Sequence, residues 1–264
     1  MFQLMVQKLL HKKWMMLSLL VGIVLLVAVA TSHVMYQDAS LSWMLQEAFD
    51  AYVAAHNEDP GLLTINGRIA KDSTDDTDYL RAEALSQTIC EDLGLAQKNK
   101  ICFKSLEKTT VISQISKANK DPESKISIAS MSELADHVKL ISGRMYGDEQ
   151  SQDGCVEAVV TLKAAIERDY LVDEIVDFKY LKDPKGNPLK VKIVGIVTWA
   201  DSTDDYWIFS PDEYQEQVFV SDRMYDWVCG DNVKKYGQST KWYLTFDYSQ
   251  IDYRDTTALT QKTY

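Results

Sequence analysis

The chain has 264 residues, of which 46% are hydrophobic and 25% are charged, a composition typical of a protein that folds around a buried core. Its formal charge of −11 is uneven, because residues 1–36 carry three lysines and no acid, which leaves −14 on the rest. An acidic surface of that kind repels phosphate backbones, so the composition argues against nucleic acid as a partner.

The first predicted element is a membrane-spanning helix at residues 14–37, which contain no Asp, Glu, Lys or Arg. About 20 apolar residues, rising about 1.5 Å each, span a hydrocarbon layer of about 30 Å. Trp14 and Tyr36 lie near the two ends of this stretch, where interfacial aromatic residues are enriched. The length and the flanking residues therefore predict an anchor in the lipid bilayer.

Charges flank this helix unequally. Its N-terminal side carries Lys8, Lys12 and Lys13, and the first charge on the other side is Asp38. Because lysine-rich flanks stay inside the cell, we expect residues 1–13 to be cytoplasmic and residues 38–264 to form an extracytoplasmic domain. The chain is thus predicted to be a single-pass protein of the cell membrane.

A cleaved signal peptide is the alternative interpretation of this segment. Ala28-Val29-Ala30 resembles a small-residue cleavage site behind a basic N-terminus and an apolar run. The apolar run is, however, longer than the roughly 7–15 residues of an ordinary signal peptide, and helical spacing continues beyond Ala30. The pattern favours the anchor.

Beyond the anchor, the sequence predicts an α+β fold with two subdomains, because helices and strands are mixed without regular βαβ alternation. Apolar residues at helical spacing over residues 40–56 predict that the anchor continues as a stalk. The other predicted helices are residues 77–93, 132–137, 163–170 and 211–220. The predicted strands are residues 62–69, 100–103, 109–115, 125–129, 155–162, 174–181, 189–199, 206–209 and 241–246.

Two local signals support this assignment. Residues 183–188, Asp-Pro-Lys-Gly-Asn-Pro, predict the turn of a hairpin between the strands on either side. Ser130 and Glu133 have the spacing of a capping box and predict the start of the helix at residues 132–137.

The chain has four cysteines, Cys90, Cys102, Cys155 and Cys229, which are too dispersed for a metal site or a disulfide framework. An extracytoplasmic location would permit a Cys90–Cys102 bridge. Buried free thiols are the other reading, and the sequence leaves both open.

No catalytic, cofactor-binding or metal-binding residues are predicted. A phosphate-binding loop, an HExxH motif and a Gly-x-Ser-x-Gly elbow are all absent from the sequence. The histidines, His11, His33, His56 and His137, are dispersed. We therefore do not expect an enzyme.

Two kinds of residue cluster have both a functional and a structural reading. The acidic clusters could bind calcium, but they lack the glycine and glutamate of an EF-hand loop, so solvated loops are favoured. They are Asp72, Asp75, Asp76 and Asp78, and Asp201, Asp204 and Asp205. Aromatic clusters could line a ligand groove, although core packing is the commoner role. They are Trp199, Tyr206, Trp207 and Phe209, and Tyr225, Trp227, Trp242 and Tyr243.

Three stretches behind the apolar helix occur in a characteristic order. Residues 140–144 read Leu-Ile-Ser-Gly-Arg, residues 156–169 form a strand and short helix, and residues 191–197 read Val-Lys-Ile-Val-Gly-Ile-Val. This arrangement resembles the N-terminal part of MacB/FtsX-like ABC transporter permeases. In that family a large extracytoplasmic domain lies between the first and second membrane spans.

The chain departs from the family pattern in two places. Family members have a Gly-Asp step before the last hairpin, where residues 169–173 read Asp-Tyr-Leu-Val-Asp without glycine. They also have three further spans, whereas this sequence reaches Tyr264 without one. If the resemblance holds, the chain is expected to be a truncated permease, a gene fragment or a split subunit.

The resemblance implies a mechanical role. It predicts a permease dimer working with cytoplasmic ABC ATPase subunits, which hydrolyse ATP in a separate polypeptide. The first helix and its stalk would couple ATPase motion to the extracytoplasmic domain, for export or extraction of peptide or lipid-like substrates. No cofactor is expected. The rival hypothesis is a membrane-tethered or secreted ligand-binding module, and a tethered hydrolase has no motif in its support.

Overall fold

A computed structural model describes residues 13–56, 59–113, 124–230, 232–251, 253–256 and 259. It has the predicted α+β class, with one long apolar helix followed by a mixed domain of helices and strands. The chain divides into two compact units. One comprises Met1–Pro60 with Ser249–Tyr264, and the other, the globular unit, is Gly61–Tyr248.

Helix α1 runs from Lys13 to His56 without interruption. Its 44 residues extend about 66 Å at about 1.5 Å per residue. The predicted anchor and stalk are therefore one continuous element. Gly22 is its only glycine and it contains no proline, so nothing in its sequence introduces a kink beyond that point. Pro60 and Gly61 form a turn shortly beyond its end.

The described residues of the globular unit include ten strands, which are joined in one sheet. The strands are β1 Leu62–Ile69, β2 Gln97–Leu106, β3 Thr109–Ser113, β4 Ser124–Met131, β5 Val138–Gly143, β6 Val156–Thr161, β7 Ile175–Lys182, β8 Pro188–Trp199, β9 Gln217–Phe219 and β10 Gln238–Phe246. The α-helices are α2 Thr77–Leu93, α3 Leu134–His137, α4 Leu162–Arg168, α5 Asp222–Cys229 and α6 Asn232–Tyr236. Short 3₁₀ turns occur at Pro211–Glu213 and Tyr248–Gln250.

The strand order explains why this region is one unit and not the two subdomains that were expected. It runs β1-β10-β2-β4-β3-β7-β8-β6-β9, and β5 pairs with β8. The last strand therefore lies between the first two, and β9 also pairs with β4 in parallel. Strands from the two halves of the sequence share one hydrogen-bonded sheet, so together they form one compact unit.

The first and last strands meet at one end of the unit. β1 and β10 are antiparallel, with Leu62 opposite Thr245. Beyond that pair, the Phe246 N–H donates to the Gly61 carbonyl at 3.0 Å. The chain therefore enters and leaves the globular unit at neighbouring residues.

Several sequence predictions are confirmed. Helix α2 has the predicted bounds and ends at Gly94, whose φ of 73° is the left-handed conformation that glycine adopts readily. β7 and β8 form the predicted antiparallel hairpin. The end of the strand predicted at residues 109–115 lies outside the described residues.

Three predictions are wrong. Residues 206–209 form a turn and not a strand, because the Asp204 carboxylate accepts the Tyr206 N–H at 3.0 Å. Residues 211–220 form a 3₁₀ turn and β9, since β9 is captured by β4 and β6. The Ser130–Glu133 capping box is absent, because the Ser130 hydroxyl bonds to Asp222 instead.

Candidate functional site

The apolar helix is the first candidate functional feature. It is the single helix in the described part of the chain that is long and apolar enough to cross a membrane, with a mean hydropathy of 2.5 over its best window. None of that window is buried within the chain. Trp14 and Tyr36, at the ends of the charge-free stretch, are 84% and 76% exposed. Of the three lysines predicted to orient it, Lys8 and Lys12 lie outside the described residues, and Lys13 is the first residue of α1.

A second feature is the crossing of β5 and β8, where the stretches that carry the family resemblance converge. Gly143 lies opposite Gly195 in the antiparallel pair. A methyl group on Gly143 would lie 2.1 Å from the Val194 carbonyl oxygen, and one on Gly195 would lie 2.2 Å from the Arg144 carbonyl oxygen. Side chains at these two positions would force the backbones apart, so the Gly-Arg step and the Val-Gly-Ile strand require each other.

Arg144, which follows this crossing, forms a clasp with Glu157 on β6. Its two terminal nitrogens donate to the two carboxylate oxygens of Glu157 at 2.6 and 2.5 Å. The Gly147 N–H adds a third hydrogen bond at 3.0 Å. Chiefly through the bond from Arg144, the pKa of Glu157 is held below its usual value. The clasp ties the loop after β5 to the fully buried strand β6.

Sequence reasoning did not find Glu157, although a signal was present. It is the only charged residue in the strand Val-Glu-Ala-Val-Val-Thr, whose six residues are all buried. A carboxylate buried in such a strand requires a partner, because an unpaired charge there is costly.

The first aromatic cluster partly assembles around His137. The rings of His137 and Tyr206 stack with centroids 3.8 Å apart, and Trp207 packs edge-on against Tyr206 at 5.1 Å. His137 Nδ1 lies 2.6 Å from Asp204 Oδ2, and this bond is the main reason why the pKa of Asp204 is lowered. Phe209 instead packs against Tyr243, at 5.9 Å.

The second aromatic cluster does not assemble. Trp242 and Tyr243 are adjacent on β10 and point to opposite faces, so they enter different core clusters. Tyr225 is fully buried in the main core, and Trp227 packs partly buried against it. The core interpretation of this cluster is therefore the correct one.

The acidic clusters act as loop caps. Asp75 accepts from the Thr77 N–H at 3.0 Å, and Asp201 accepts from the Thr203 N–H at 2.8 Å. Among the residues that the structure describes, no group of three or more His, Cys, Asp or Glu side chains is arranged to hold a metal ion.

All four cysteines are free thiols. Cys90 and Cys102 both belong to the small core cluster around Trp242, without a bridge between them. Burial raises the pKa of Cys102 to about 11 and that of Cys229 to about 12. Neither thiol is poised as a nucleophile, since the thiolate is the reactive form.

No family model matches this sequence, and comparison with curated proteins finds no relative. Among solved structures, a domain of a candidate permease protein from Porphyromonas gingivalis aligns with 77% of this chain and 82% of its own length. The identity is 11% and the TM-score is 0.36. A likeness of that size carries no weight for function.

Proposed function

We propose that the chain is a membrane-anchored permease subunit, or a segment of one, of the MacB/FtsX type. The observation that carries the proposal is α1. Its charge-free stretch, residues 14–37, matches the thickness of a bilayer, and its remaining 19 residues to His56 extend about 29 Å further as the same helix. One rigid rod would thus cross the membrane and reach the extracytoplasmic domain.

The convergence at the β5–β8 crossing supports the family assignment. The Gly-Arg step, the strand–helix unit and the Val-Gly-Ile strand were separate signals in the sequence. In the fold they meet at Gly143, Gly195 and the Arg144–Glu157 clasp. Residues that are required together by packing are more specific to a domain type than any one short motif.

In this proposal the lysine-rich N-terminus lies in the cytoplasm beside an ABC ATPase, and two permease copies work together. The ATPase moves the cytoplasmic end of α1, and the helix transmits the motion to the globular unit. The chain hydrolyses nothing itself.

Purification from the native membrane tests this function. A cytoplasmic ABC ATPase should co-purify with the full chain, and a Gly-Gly insertion after Ser42 should uncouple ATP hydrolysis from transport, because glycine softens the helix. The matched control is a Gly-Gly insertion after Gly186, in the β7–β8 turn, where nothing lies within 4 Å of the position of a Cβ. Coupling that survives the Ser42 insertion, or the absence of any ATPase, would contradict the proposal.

The ligand-binding module is the second candidate. It is favoured by the half-buried His137–Trp207 surface, where an imidazole stacks on a buried tyrosine and an indole packs nearly perpendicular to the same ring. Mass spectrometry of the mature chain separates a secreted module from an anchored chain, and co-purification of an ABC ATPase separates a permease from a membrane-tethered module. Cleavage after Ala30 would indicate a secreted module, and an intact N-terminus an anchored one.

A further inference from the structure

After the sheet, the chain continues as a tail segment, residues 249–259. Its described residues contact α1 at two levels. Gln46 donates from Nε2 to the Ser249 carbonyl at 3.2 Å. Further along, the Tyr253 hydroxyl donates to Asp38 Oδ1 at 2.6 Å, and Arg254 donates to Asp38 Oδ2. Both levels lie within one compact unit of the chain.

The order of these contacts gives the tail segment a direction. From Ser249 to Arg254 the contact on α1 moves from Gln46 back to Asp38, eight residues or about 12 Å toward the N-terminal end of the helix. The tail segment therefore runs antiparallel to α1. It starts beside Gln46, ten residues before the end of α1 at His56.

The contacts use one side of the helix. Asp38, Ser42, Leu45 and Phe49 recur at helical spacing and are all half-buried. By contrast, Trp43 and Met44 are 65% and 57% exposed. Gln46, the other contact residue, is also half-buried, so the shielded stripe and the tail contacts coincide.

Asp38, Tyr253 and Arg254 form a closed triangle. Each oxygen of the Asp38 carboxylate accepts from a different partner, and Arg254 Nε donates to the Tyr253 hydroxyl at 3.2 Å. The guanidinium carbon also lies 5.6 Å from the centre of the Tyr253 ring. Three mutually bonded groups hold one another in a single geometry more firmly than an isolated surface ion pair does.

We propose that Asp38, Tyr253 and Arg254 form a clamp that fastens the tail segment to α1 at the edge of the charge-free stretch. Asp38 is the first charged residue after residues 14–37. The clamp makes the segment that leaves the globular unit move together with the helix that enters it. In one respect this rests on the proposed function: if α1 spans the membrane, the clamp lies at the bilayer surface.

Hydrogen–deuterium exchange of the full chain in phosphatidylcholine nanodiscs tests the clamp. The reporter is the tail segment, where the Leu259 N–H donates to the Asp255 carbonyl at 2.8 Å. Asp38→Asn should speed exchange there about fivefold, the effect of losing roughly 1 kcal/mol of ion pairing. The double variant Asp38→Arg with Arg254→Asp should return the rate toward that of the wild type.

Asp50→Asn is the matched control, since Asp50 is an exposed acid on the same helix, and it should leave the tail unchanged. Exchange in β8 should be identical in all variants, which shows that the globular unit is folded. An unaltered rate in Asp38→Asn, or no recovery in the double variant, would overturn the clamp. Carbonate extraction is scored separately: release of the wild-type chain would refute membrane spanning, while the exchange result would still decide the clamp.

Discussion

Helix α1 and the globular unit use the same aliphatic residues in opposite ways. Leu25 and Leu26 of α1 are 59% and 70% exposed, whereas Val191 and Ile193 of β8 are fully buried. The helix is apolar on every side over residues 19–30, and the strand alternates between apolar and lysine positions over residues 189–193. Each pattern fits its own surroundings: an apolar surface that no described residue covers suits hydrocarbon, and alternation suits a sheet that packs a core in water.

The largest expected effect comes from making a cavity in the core of the globular unit. Phe178 of β7 is fully buried in the main cluster. Phe178→Ala should lower the free energy of unfolding of the globular unit by about 3–5 kcal/mol, measured by urea denaturation of the detergent-solubilised chain. Leu25→Ala in α1 is the control and should leave that free energy within about 0.5 kcal/mol of the wild type.

A charge in the middle of α1 should have the next largest effect, on the membrane and not on folding. Leu25→Arg should cost about 2.5–3.5 kcal/mol of insertion free energy, because an arginine at the bilayer centre loses its hydration. Carbonate extraction should then release much of the chain. Trp43→Arg, beyond the charge-free stretch, should stay in the membrane; equal behaviour of the two variants would contradict a span at residues 14–37.

The glycine crossing offers a smaller effect. Gly195→Ala places a methyl group 2.2 Å from the Arg144 carbonyl oxygen, so β5 must move away from β8. We expect a loss of about 1–3 kcal/mol in the free energy of unfolding, as for other overpacked sites. Gly22→Ala, in α1 with nothing within 4 Å, is the glycine control. An equal result for both glycines would show that the close approach does not matter.

The smallest effect should come from the clasp. Glu157→Gln should lower the free energy of unfolding by about 1.5 kcal/mol near pH 7, since a charged hydrogen-bond partner of Arg144 is lost. The folded pKa of Glu157 lies below its unfolded value of about 4.3, so its stabilising effect is present above that pH and is lost as the pH falls through the folded pKa. The difference between the variants, measured by denaturant unfolding at several pH values, should shrink with acidification. A difference that stays constant with pH would show that the negative charge of Glu157 is not the source of the stabilisation.

Elements with strong local signals could be predicted from the sequence. The charge-free run and the helical spacing after it predicted α1, helical spacing predicted α2, and the Asp-Pro-Lys-Gly-Asn-Pro turn predicted the β7–β8 hairpin. In each case the residues that specify the element lie within it or next to it.

Elements whose form depends on partners distant in the sequence could not be predicted. Tyr214 and Val218 have helical spacing behind Pro211, but residues 217–219 pair with β4 and β6 from elsewhere in the chain. The Glu157 and Asp38 partnerships join residues 13 and 216 positions apart, and no local pattern records them. Helix α5 is not among the predicted helices, although local signals for it are present in the sequence. Ser221 caps it by accepting the Met224 N–H, and its buried residues have helical spacing.

The neighbouring ends of β1 and β10 determine how the globular unit responds to force. The connection from α1 and the connection to the tail segment join the same end of this antiparallel pair, beside Gly61 and Phe246. Tension that pulls the two connections apart would break the hydrogen bonds between β1 and β10 one after another, starting at Leu62 and Thr245. A contact that keeps the two connections together, such as the Asp38 clamp, would therefore protect this pair of strands from opening.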